Sequence, residues 1–250
     1  MKLVFDTHTH TLMSGHAYST IREMAELARE HGMEAIAFTE HAPELPGSCG
    51  LYYFDNLRVL PRERYGIRTY FGTELNIMNS EGEVDLPTKI LKQMDLVIAS
   101  IHTPCFHSER TEEEVTKGII NAMKNPYINI IGHPDDSRFP VDYEQIVKAA
   151  KETGTLLEVN NSSMRPDNHR VNATDNIRTM LHYCKKYGAP ITTGSDAHVD
   201  LDAGKLDLVQ NILEECDFPE ELVATTSLEK MKQFCDDICF INNGKVTRGK

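Results

Sequence analysis

The chain has 250 residues, of which 40% are apolar and 26% are charged, as in ordinary globular proteins. Its formal net charge of −12 gives no general attraction to nucleic acid or to anionic membranes, which bind basic patches. We find no apolar run of about 18 residues, and no basic start followed by a long apolar stretch. We therefore predict neither a transmembrane helix nor a secretory signal. The length suits one α/β barrel or two small domains.

The six cysteines are scattered along the chain and form no Cys-x-x-Cys pair. In a chain of this size that pattern is typical of reduced thiols, so we expect a cytoplasmic protein. Cys235 and Cys239 lie close together near the C-terminus, and without a second pair we expect them to serve packing.

Short apolar runs alternate with helix-forming segments along the whole chain. We predict seven strands, at residues 4–10, 35–38, 68–71, 96–99, 128–131, 156–159 and 190–193. The spacing of apolar residues between and after them predicts helices at 21–31, 88–93, 111–124, 143–152, 174–187, 206–216 and 227–235. Ser19 or Thr20 is the expected N-cap of the first helix, with Glu23 placed for a capping box. Residues 42–66 are expected to form a long, irregular loop, and such loops are commonly functional.

This alternation indicates parallel strands joined by crossover helices. The strands are continuously apolar, as expected when both faces of a sheet are buried. An open doubly wound sheet and a barrel both fit the pattern. We favour the α/β barrel, because polar residues follow nearly every strand and all strand ends of a barrel meet at one mouth. A doubly wound sheet would gather only the ends near its switch point.

The first strand ends in His8 and His10, which are separated by a single residue. Side chains alternate between the two faces of a strand, so both imidazoles project to the same side. Neutral imidazole is the commonest nitrogen ligand of zinc and related metals. A lone His-x-His pair is weak support for a metal, because two ordinary polar residues at a strand end would look the same.

Residues of the kinds that bind metals follow six of the seven predicted strands. Seven of the eleven histidines are among them, a concentration that chance placement does not explain. One zinc ion takes about four ligands, so such a set suits two or three ions that share a carboxylate and keep positions for water. The predicted ligands are His8, His10, His16, His41, Glu74, His102, His133, Asp196 and His198. The alternative is that these residues pair only with one another at the barrel mouth.

Four ordered motifs in this set resemble those of the PHP (polymerase and histidinol phosphatase) family. They are Asp6-Thr7-His8-Thr9-His10, the pair Glu40-His41, His102 with His133, and Gly194-Ser195-Asp196-Ala197-His198. The stretches 16–20, 72–77 and 158–163 resemble in particular the compact, stand-alone YcdX-like phosphatases of that family. The resemblance covers nearly the whole chain and implies a single PHP domain over residues 1–250. It also implies a distorted (βα)7 TIM-like barrel of parallel strands, with its active site at the C-terminal mouth.

The resemblance further implies three divalent metal ions, usually zinc and sometimes manganese or iron. The implied ligand sets are His8, His10, Glu74 and Asp196 for one ion, Glu74, His102 and His133 for a second, and His16, His41 and His198 for a third. Glu74 would bridge the first two ions. One departure concerns Glu40, because family members often carry aspartate at this position before the histidine of the second motif. We expect Glu40 to support ligands without binding metal, so the change puts little in doubt.

Metal ions in this arrangement suit phosphoester hydrolysis. Two ions roughly 3.5–4 Å apart can lower the pKa of a bound water towards 7, and they also neutralise phosphoryl oxygens. We therefore predict a metal-dependent phosphatase that hydrolyses a small phosphomonoester through a metal-bound hydroxide. The catalytic water is expected to be held by His8, His10, Glu74, His102, His133 and Asp196. Arg138 and Arg165 are candidates for binding the substrate phosphate, although a solvated loop arginine would look the same.

Two other functions fit the same residues. A phosphodiesterase or nuclease acting on short oligonucleotides is one, because some relatives of the family trim nucleic acid, although the acidic charge counts against long polymers. A metal-binding protein without turnover, for storage or regulation, is the other. The sequence does not fix the oligomeric state, and a homo-oligomer is compatible with it.

Overall fold

The computed structural model describes residues 1–235, and beyond them only the backbone of two further strands. The strands are β1 (Phe5–Thr9), β2 (Ala35–His41), β3 (Glu63–Arg64), β4 (Ile67–Asn76), β5 (Leu96–Ser100), β6 (Ile130–Ile131), β7 (Leu156–Asn160), β8 (Ile191–Gly194), β9 (Ile238–Asn242) and β10 (Lys245–Arg248). Seven of them pair in parallel in the order β1-β2-β4-β5-β6-β7-β8. The short β3 pairs antiparallel with β4, and β9 pairs antiparallel with β10.

The two ends of this sheet meet, so that it nearly closes into a barrel. The backbone N–H of His10 donates to the carbonyl of Ala197 at 2.9 Å, and the N–H of Asp196 donates to the carbonyl of His8 at 2.8 Å. The buried carboxylate of Asp6 also accepts from the N–H groups of Ser195 and Gly204. These contacts join β1 to the segment after β8. The predicted TIM-like α/β barrel is therefore confirmed, and the open doubly wound alternative is wrong.

Helices connect the parallel strands, as the alternating pattern predicts, and two more follow the last of these strands. They are α1 (Ile21–Glu30), α2 (Leu51–Asp55), α3 (Thr88–Leu91), α4 (Glu112–Met123), α5 (Tyr143–Thr153), α6 (Ala173–Tyr187), α7 (Asp207–Glu215) and α8 (Leu228–Met231). Thr20 is the N-cap of α1, and it forms the predicted capping box with Glu23.

Three local predictions are wrong. The segment 42–66 is not wholly irregular, because its apolar residues fold as α2 and bury Phe54, and its end forms β3. The helix predicted at 227–235 ends at Met231, and the carbonyl of Phe234 instead accepts from the side chain of Asn129. The regular part of the strand predicted at 128–131 is limited to β6, although Asn129 still bonds to both neighbouring strands through its backbone.

Two buried apolar clusters hold the barrel together. The larger one packs the helices against the outside of the sheet. The smaller one combines residues from the first halves of the strands, such as Phe5, Tyr70 and Ile98, with Ala224 and Met231 from the C-terminal segment. Because the first halves of the strands lie away from the mouth, this second cluster fills the opposite end of the barrel. The polar cluster described below lies at the other end, at the mouth.

Among the described residues, no helix is both long and apolar enough to cross a membrane. Cys49, Cys105, Cys184, Cys216 and Cys235 are free thiols, and Cys235 is buried, in keeping with a packing role. The side chain of Cys239 lies outside the described residues. A single domain over residues 1–250 stays a prediction.

Gly72 generates a prediction about the packing of the sheet. It lies in β4 opposite Leu96 of β5, and a β-carbon at this position would lie 1.7 Å from the carbonyl oxygen of Leu96. We expect Gly72→Ala to force the two strands apart and to lower the free energy of unfolding by about 3 kcal/mol or more. Denaturant titration measures this change. Gly50→Ala is the control, because nothing lies within 4 Å of its added β-carbon. Equal stability of both variants would contradict the proposed close approach.

Candidate metal centre

All nine predicted ligands lie at the carboxyl ends of the barrel strands. His8, His41 and Glu74 lie in β1, β2 and β4. The other six follow strand ends: His10 and His16 after β1, His102 after β5, His133 after β6, and Asp196 and His198 after β8. Six of the nine are buried, His102 and His198 are half-buried, and His16 is exposed. The barrel thus brings together residues that are up to 190 positions apart in the sequence, from His8 to His198.

The carboxylate of Glu74 is the middle of this cluster. Glu74 is fully buried, and imidazole nitrogens of five histidines approach its two oxygens. The Nδ1 atom of His41 lies at 2.7 Å and the Nε2 atom of His133 at 2.8 Å. The Nε2 atoms of the other three lie at 3.3 Å for His102, 3.4 Å for His8 and 3.5 Å for His10. A carboxylate in this position can share its oxygens between neighbouring ions.

The ligand atoms of the cluster form four groups of three in which all atoms lie within 4.8 Å of one another. The groups are His8, His10 and Asp196; His8, Glu74 and His133; His41, Glu74 and His102; and His10, His41 and His198. His16 joins the cluster through His198, since their Nε2 atoms are 3.1 Å apart. His41 therefore lies beside both Glu74 and His198, between the second and third ligand sets that the sequence implied.

The geometry fits bound metal ions. His41 Nδ1 and Glu74 Oε2 are buried 2.7 Å apart, yet neither atom has a hydrogen-bond partner. The Nε2 atoms of His8 and His10 face each other at 3.0 Å. Two nitrogens on one tetrahedral zinc ion, each about 2.0–2.1 Å from it, lie about 3.3–3.4 Å apart. The facing nitrogens are thus close to the spacing of two ligands on one ion, and the cluster can bind metal.

Contacts outside the cluster orient four of the histidines. The Nδ1 atoms lie 2.8 Å from Glu158 Oε1 for His8, 3.0 Å from Ser14 Oγ for His10, 2.7 Å from Asn76 Oδ1 for His102, and 2.9 Å from the Asp196 carbonyl for His198. When each Nδ1–H donates to its acceptor, the lone pair on Nε2 points into the cluster. Outer contacts of this kind fix the orientation and raise the basicity of metal ligands.

Glu40 contacts residues next to the metal ligands, as expected for a supporting residue. Its carboxylate accepts from the hydroxyls of Thr11 and Ser14, each at 2.6 Å. Because the Ser14 hydroxyl donates to Glu40, its oxygen is left to accept from Nδ1 of His10. The longer glutamate side chain at this position therefore still reaches the loop that follows β1.

Most of the buried histidines are neutral in the metal-free cluster. Burial lowers the pKa of His41 to about 4, and it also lowers the pKa values of His10 and His133. His8 differs, because the carboxylates of Glu158 and Glu74 outweigh the effect of burial and raise its pKa well above the ordinary value. A proton on His8 therefore balances part of the buried negative charge, and a metal ion would displace it.

Three supporting residues were not assigned a role from the sequence. Asp6 ties β1 to the loop that carries Asp196, Glu158 holds His8, and Arg170 contacts Asp196. Asp6 and Glu158 lie within stretches that resemble the family, so the sequence indicated where they lie in the fold. It did not indicate which residues they contact. Arg170 lies in a polar loop and left no signal in the sequence.

A cavity of about 1020 Å³ opens in front of the cluster, and His41, His102, His133, Asp196 and His198 line it. Arg138 and Arg165 also line this cavity. Neither guanidinium is free: Arg138 pairs with Asp136, and Arg165 pairs with Asp167 and Asp202. The structure therefore places both arginines where a substrate could meet them, and their role as phosphate contacts stays a prediction.

Comparisons with known proteins show the family of this chain. Residues 6–163 match the model of the PHP domain. A protein named probable phosphatase from Caldanaerobacter subterraneus subsp. tengcongensis is 45% identical over 95% of this chain and 92% of its own length. Another probable phosphatase, from Acetivibrio thermocellus, is 45% identical over 94% of this chain and 95% of its own.

The fold also resembles that of a solved protein. The histidinol phosphate phosphatase of Lactococcus lactis, in complex with zinc, L-histidinol and phosphate, superimposes with a TM-score of 0.59 at 18% identity. The match covers 86% of this chain and 94% of that protein, and at this identity it shows the fold alone. Together with the family match over most of the barrel, these relatives show that the chain belongs to the PHP domain family.

Proposed function

We propose that this protein is a metal-dependent phosphatase that acts on a small phosphomonoester. The observation that carries this proposal is the set of five histidines around the buried carboxylate of Glu74, at the inner end of an open cavity. The names of the relatives support the same activity, since they are probable phosphatases and a histidinol phosphate phosphatase.

The nine clustered side chains would hold three divalent ions, and the histidine-rich ligand set favours zinc, with manganese or iron as alternatives. The proposed sets are His8, His10, Glu74 and Asp196; Glu74, His102 and His133; and His16, His41 and His198. Bound ions would supply a water of lowered pKa and neutralise the oxygens of the transferred phosphoryl group.

The residues of the chain would bind and orient the substrate through their charge and their positions. Without ions, the three carboxylates of Glu74, Glu158 and Asp196 outnumber the cations beside them, which are the protonated His8 and Arg170, so this end of the cavity stays negative and repels phosphate. Filling the cluster with cations reverses that charge, so substrate binding and metal binding are coupled. Arg138 and Arg165 on the cavity wall are the proposed contacts for the substrate, each exchanging a carboxylate partner for it.

The acidic charge and the recessed cluster favour a small substrate over a polymer. A short oligonucleotide substrate and a metal-binding protein without turnover are the competing outcomes of the test. A cytoplasmic location and the oligomeric state stay predictions.

The proposed activity predicts metal-dependent release of phosphate. Zinc-loaded protein should release inorganic phosphate from members of a panel of small phosphomonoesters, and much less product from a single-stranded oligonucleotide. Chelation followed by removal of metal should abolish this release, and added zinc or manganese should restore it. Cleavage of the oligonucleotide alone would favour the nuclease, and no turnover with either substrate, despite bound metal, would favour the metal-binding protein.

Glu74→Ala should damage the protein more than loss of a single histidine. A bridging carboxylate holds two ions, so its removal disturbs both, whereas His133→Ala removes one ligand of one ion. We expect Glu74→Ala to lose more bound metal and to reduce kcat/KM by about 10³-fold or more, as loss of a main electrostatic group does. Glu63→Ala is a control, because Glu63 is 83% exposed. Normal metal content and turnover in Glu74→Ala, with loss of both in His133→Ala, would refute the bridging role.

Acid should remove metal and activity together. Histidine must be neutral to bind metal, and seven of the nine proposed ligands are histidines. The pKa of His8 is raised in the metal-free protein by the carboxylates of Glu158 and Glu74, so an ion must displace a proton from His8 and metal affinity rises with pH. We expect turnover of an aryl phosphate to rise from about pH 5 to a plateau near or above neutrality. Bound metal measured at each pH should follow the same curve, and maximal turnover near pH 5 would be incompatible with the proposal.

A further inference from the structure

We propose that Arg170 is a positioning residue of the metal centre, which holds Asp196 by its outer oxygen and keeps the inner oxygen turned towards His8 and His10. This inference rests on the metal site of the proposed function and names a residue that acts on it from outside. Arg170 lies in the connection between β7 and α6, and its side chain is only 11% exposed.

The guanidinium of Arg170 makes contacts in two directions. Its Nη2 atom donates to Asp196 Oδ2 at 2.9 Å. Its Nη1 atom donates to Ser163 Oγ at 2.7 Å and to Asn160 Oδ1 at 3.2 Å. Because the guanidinium is planar and rigid, fixing one arm on Ser163 also fixes the direction of the other arm.

The two oxygens of Asp196 have different surroundings. The outer one, Oδ2, accepts from Arg170 and from the amide nitrogen of Asn160 at 3.2 Å. The inner one, Oδ1, lies 3.4 Å from Nε2 of His10 and 3.7 Å from Nε2 of His8. Two donors on one side therefore set the rotation of the carboxylate and leave its other oxygen for an ion.

The backbone at Asp196 makes this support more important. Asp196 has a φ of +54°, in the left-handed region that side chains other than glycine seldom adopt. Its N–H is bonded to the carbonyl of His8, so the strained residue is held on both its backbone and its side chain. Without Arg170, Asp196 Oδ2 would lose its charged donor and keep only the amide of Asn160, while Oδ1 would still face His8 and His10.

Charge balance gives Arg170 a second effect on the same centre. The guanidinium of an arginine keeps its proton in proteins, and here it pairs with the carboxylate of Asp196 at 2.9 Å. This cation lies beside Asp196 Oδ2, the oxygen that faces away from His8 and His10, and it also lines the cavity in front of the cluster. An apolar side chain here would remove one of the cations that offset the buried carboxylates, a costly change in the metal-free protein.

The test measures metal affinity, independently of turnover. Metal-free protein, prepared by chelation, is titrated with zinc against a chromophoric chelator for the parent, Arg170→Met and Arg170→Lys. Loss of an outer contact to a metal ligand typically weakens metal binding by about 10–100-fold. We expect Arg170→Met to bind one zinc ion more weakly by this factor and to bind the other ions with the affinity of the parent. The zinc affinity of Arg170→Lys should lie between those of the parent and Arg170→Met. A lysine keeps the charge but cannot contact Asp196 and Ser163 with one rigid group.

Two further variants control the experiment. Arg178→Met removes the same charge from the surface of α6, where Arg178 pairs with Asp175 and Glu215, and it should bind zinc like the parent. Ser163→Ala removes one of the two acceptors that anchor Arg170 and should weaken the binding of one zinc ion by less than Arg170→Met does. Circular dichroism of the metal-free variants shows whether they fold, and if Arg170→Met does not, Arg170→Lys and Ser163→Ala carry the test.

Unchanged zinc affinity in folded Arg170→Met would overturn the positioning role. If, in addition, inhibition by inorganic phosphate became weaker, Arg170 would instead contact the phosphate directly. This test and the test of the proposed function can fail independently. Phosphate release by the parent protein decides the function. The zinc titrations decide the role of Arg170, whether or not a substrate has been found.

Discussion

The buried carboxylate of Glu74 is the constraint on which the centre depends. An ionised carboxylate removed from water costs several kcal/mol unless opposite charge and hydrogen bonds surround it. In this protein five histidines on four different strands or strand ends approach that carboxylate, and the pKa of Glu74 is held well below its usual range by His102 and His8, although burial acts in the other direction. The strand ends must therefore converge at one point, which a closed barrel achieves and an open sheet would not.

A layer of fixed contacts surrounds this carboxylate and its histidines. Glu158, Ser14 and Asn76 each accept from an Nδ1–H group, so the inward-facing nitrogens are already aimed at the cluster without bound metal. Asn76 is itself held by Asp85, whose carboxylate accepts from its amide nitrogen at 2.7 Å. That bond directs the amide oxygen of Asn76 to His102. Ligands oriented in this way need little rearrangement when an ion binds.

Much of this arrangement could be predicted from the sequence, because it depends on patterns between residues that are close together in the chain. His8 and His10 face one way through strand alternation, and the capping box at Thr20 and Glu23 is a pattern of four residues. In a barrel of parallel strands, all the carboxyl ends meet at one mouth. The ligands could therefore be predicted from their positions after the strands, without any structural distance. Arg170 could not be found in this way, because its role depends on Asp196, 26 positions away and on another loop. The helix α2 was missed for a related reason: the burial of Phe54, not the local glycines and prolines, decides that segment.

The closure of the barrel has a consequence for how the protein is made. The bond between Asp6 and Ser195 joins residues 189 positions apart in the sequence. A chain emerging from the ribosome cannot form it until the last parallel strand has been released, and contacts of such long sequence separation form slowly. During synthesis, the early histidines are thus exposed for some time without their late partners. An ion that needs ligands from both ends of the chain can bind only after this closure, so the fraction of chains that hold a complete centre cannot exceed the fraction that have closed the barrel.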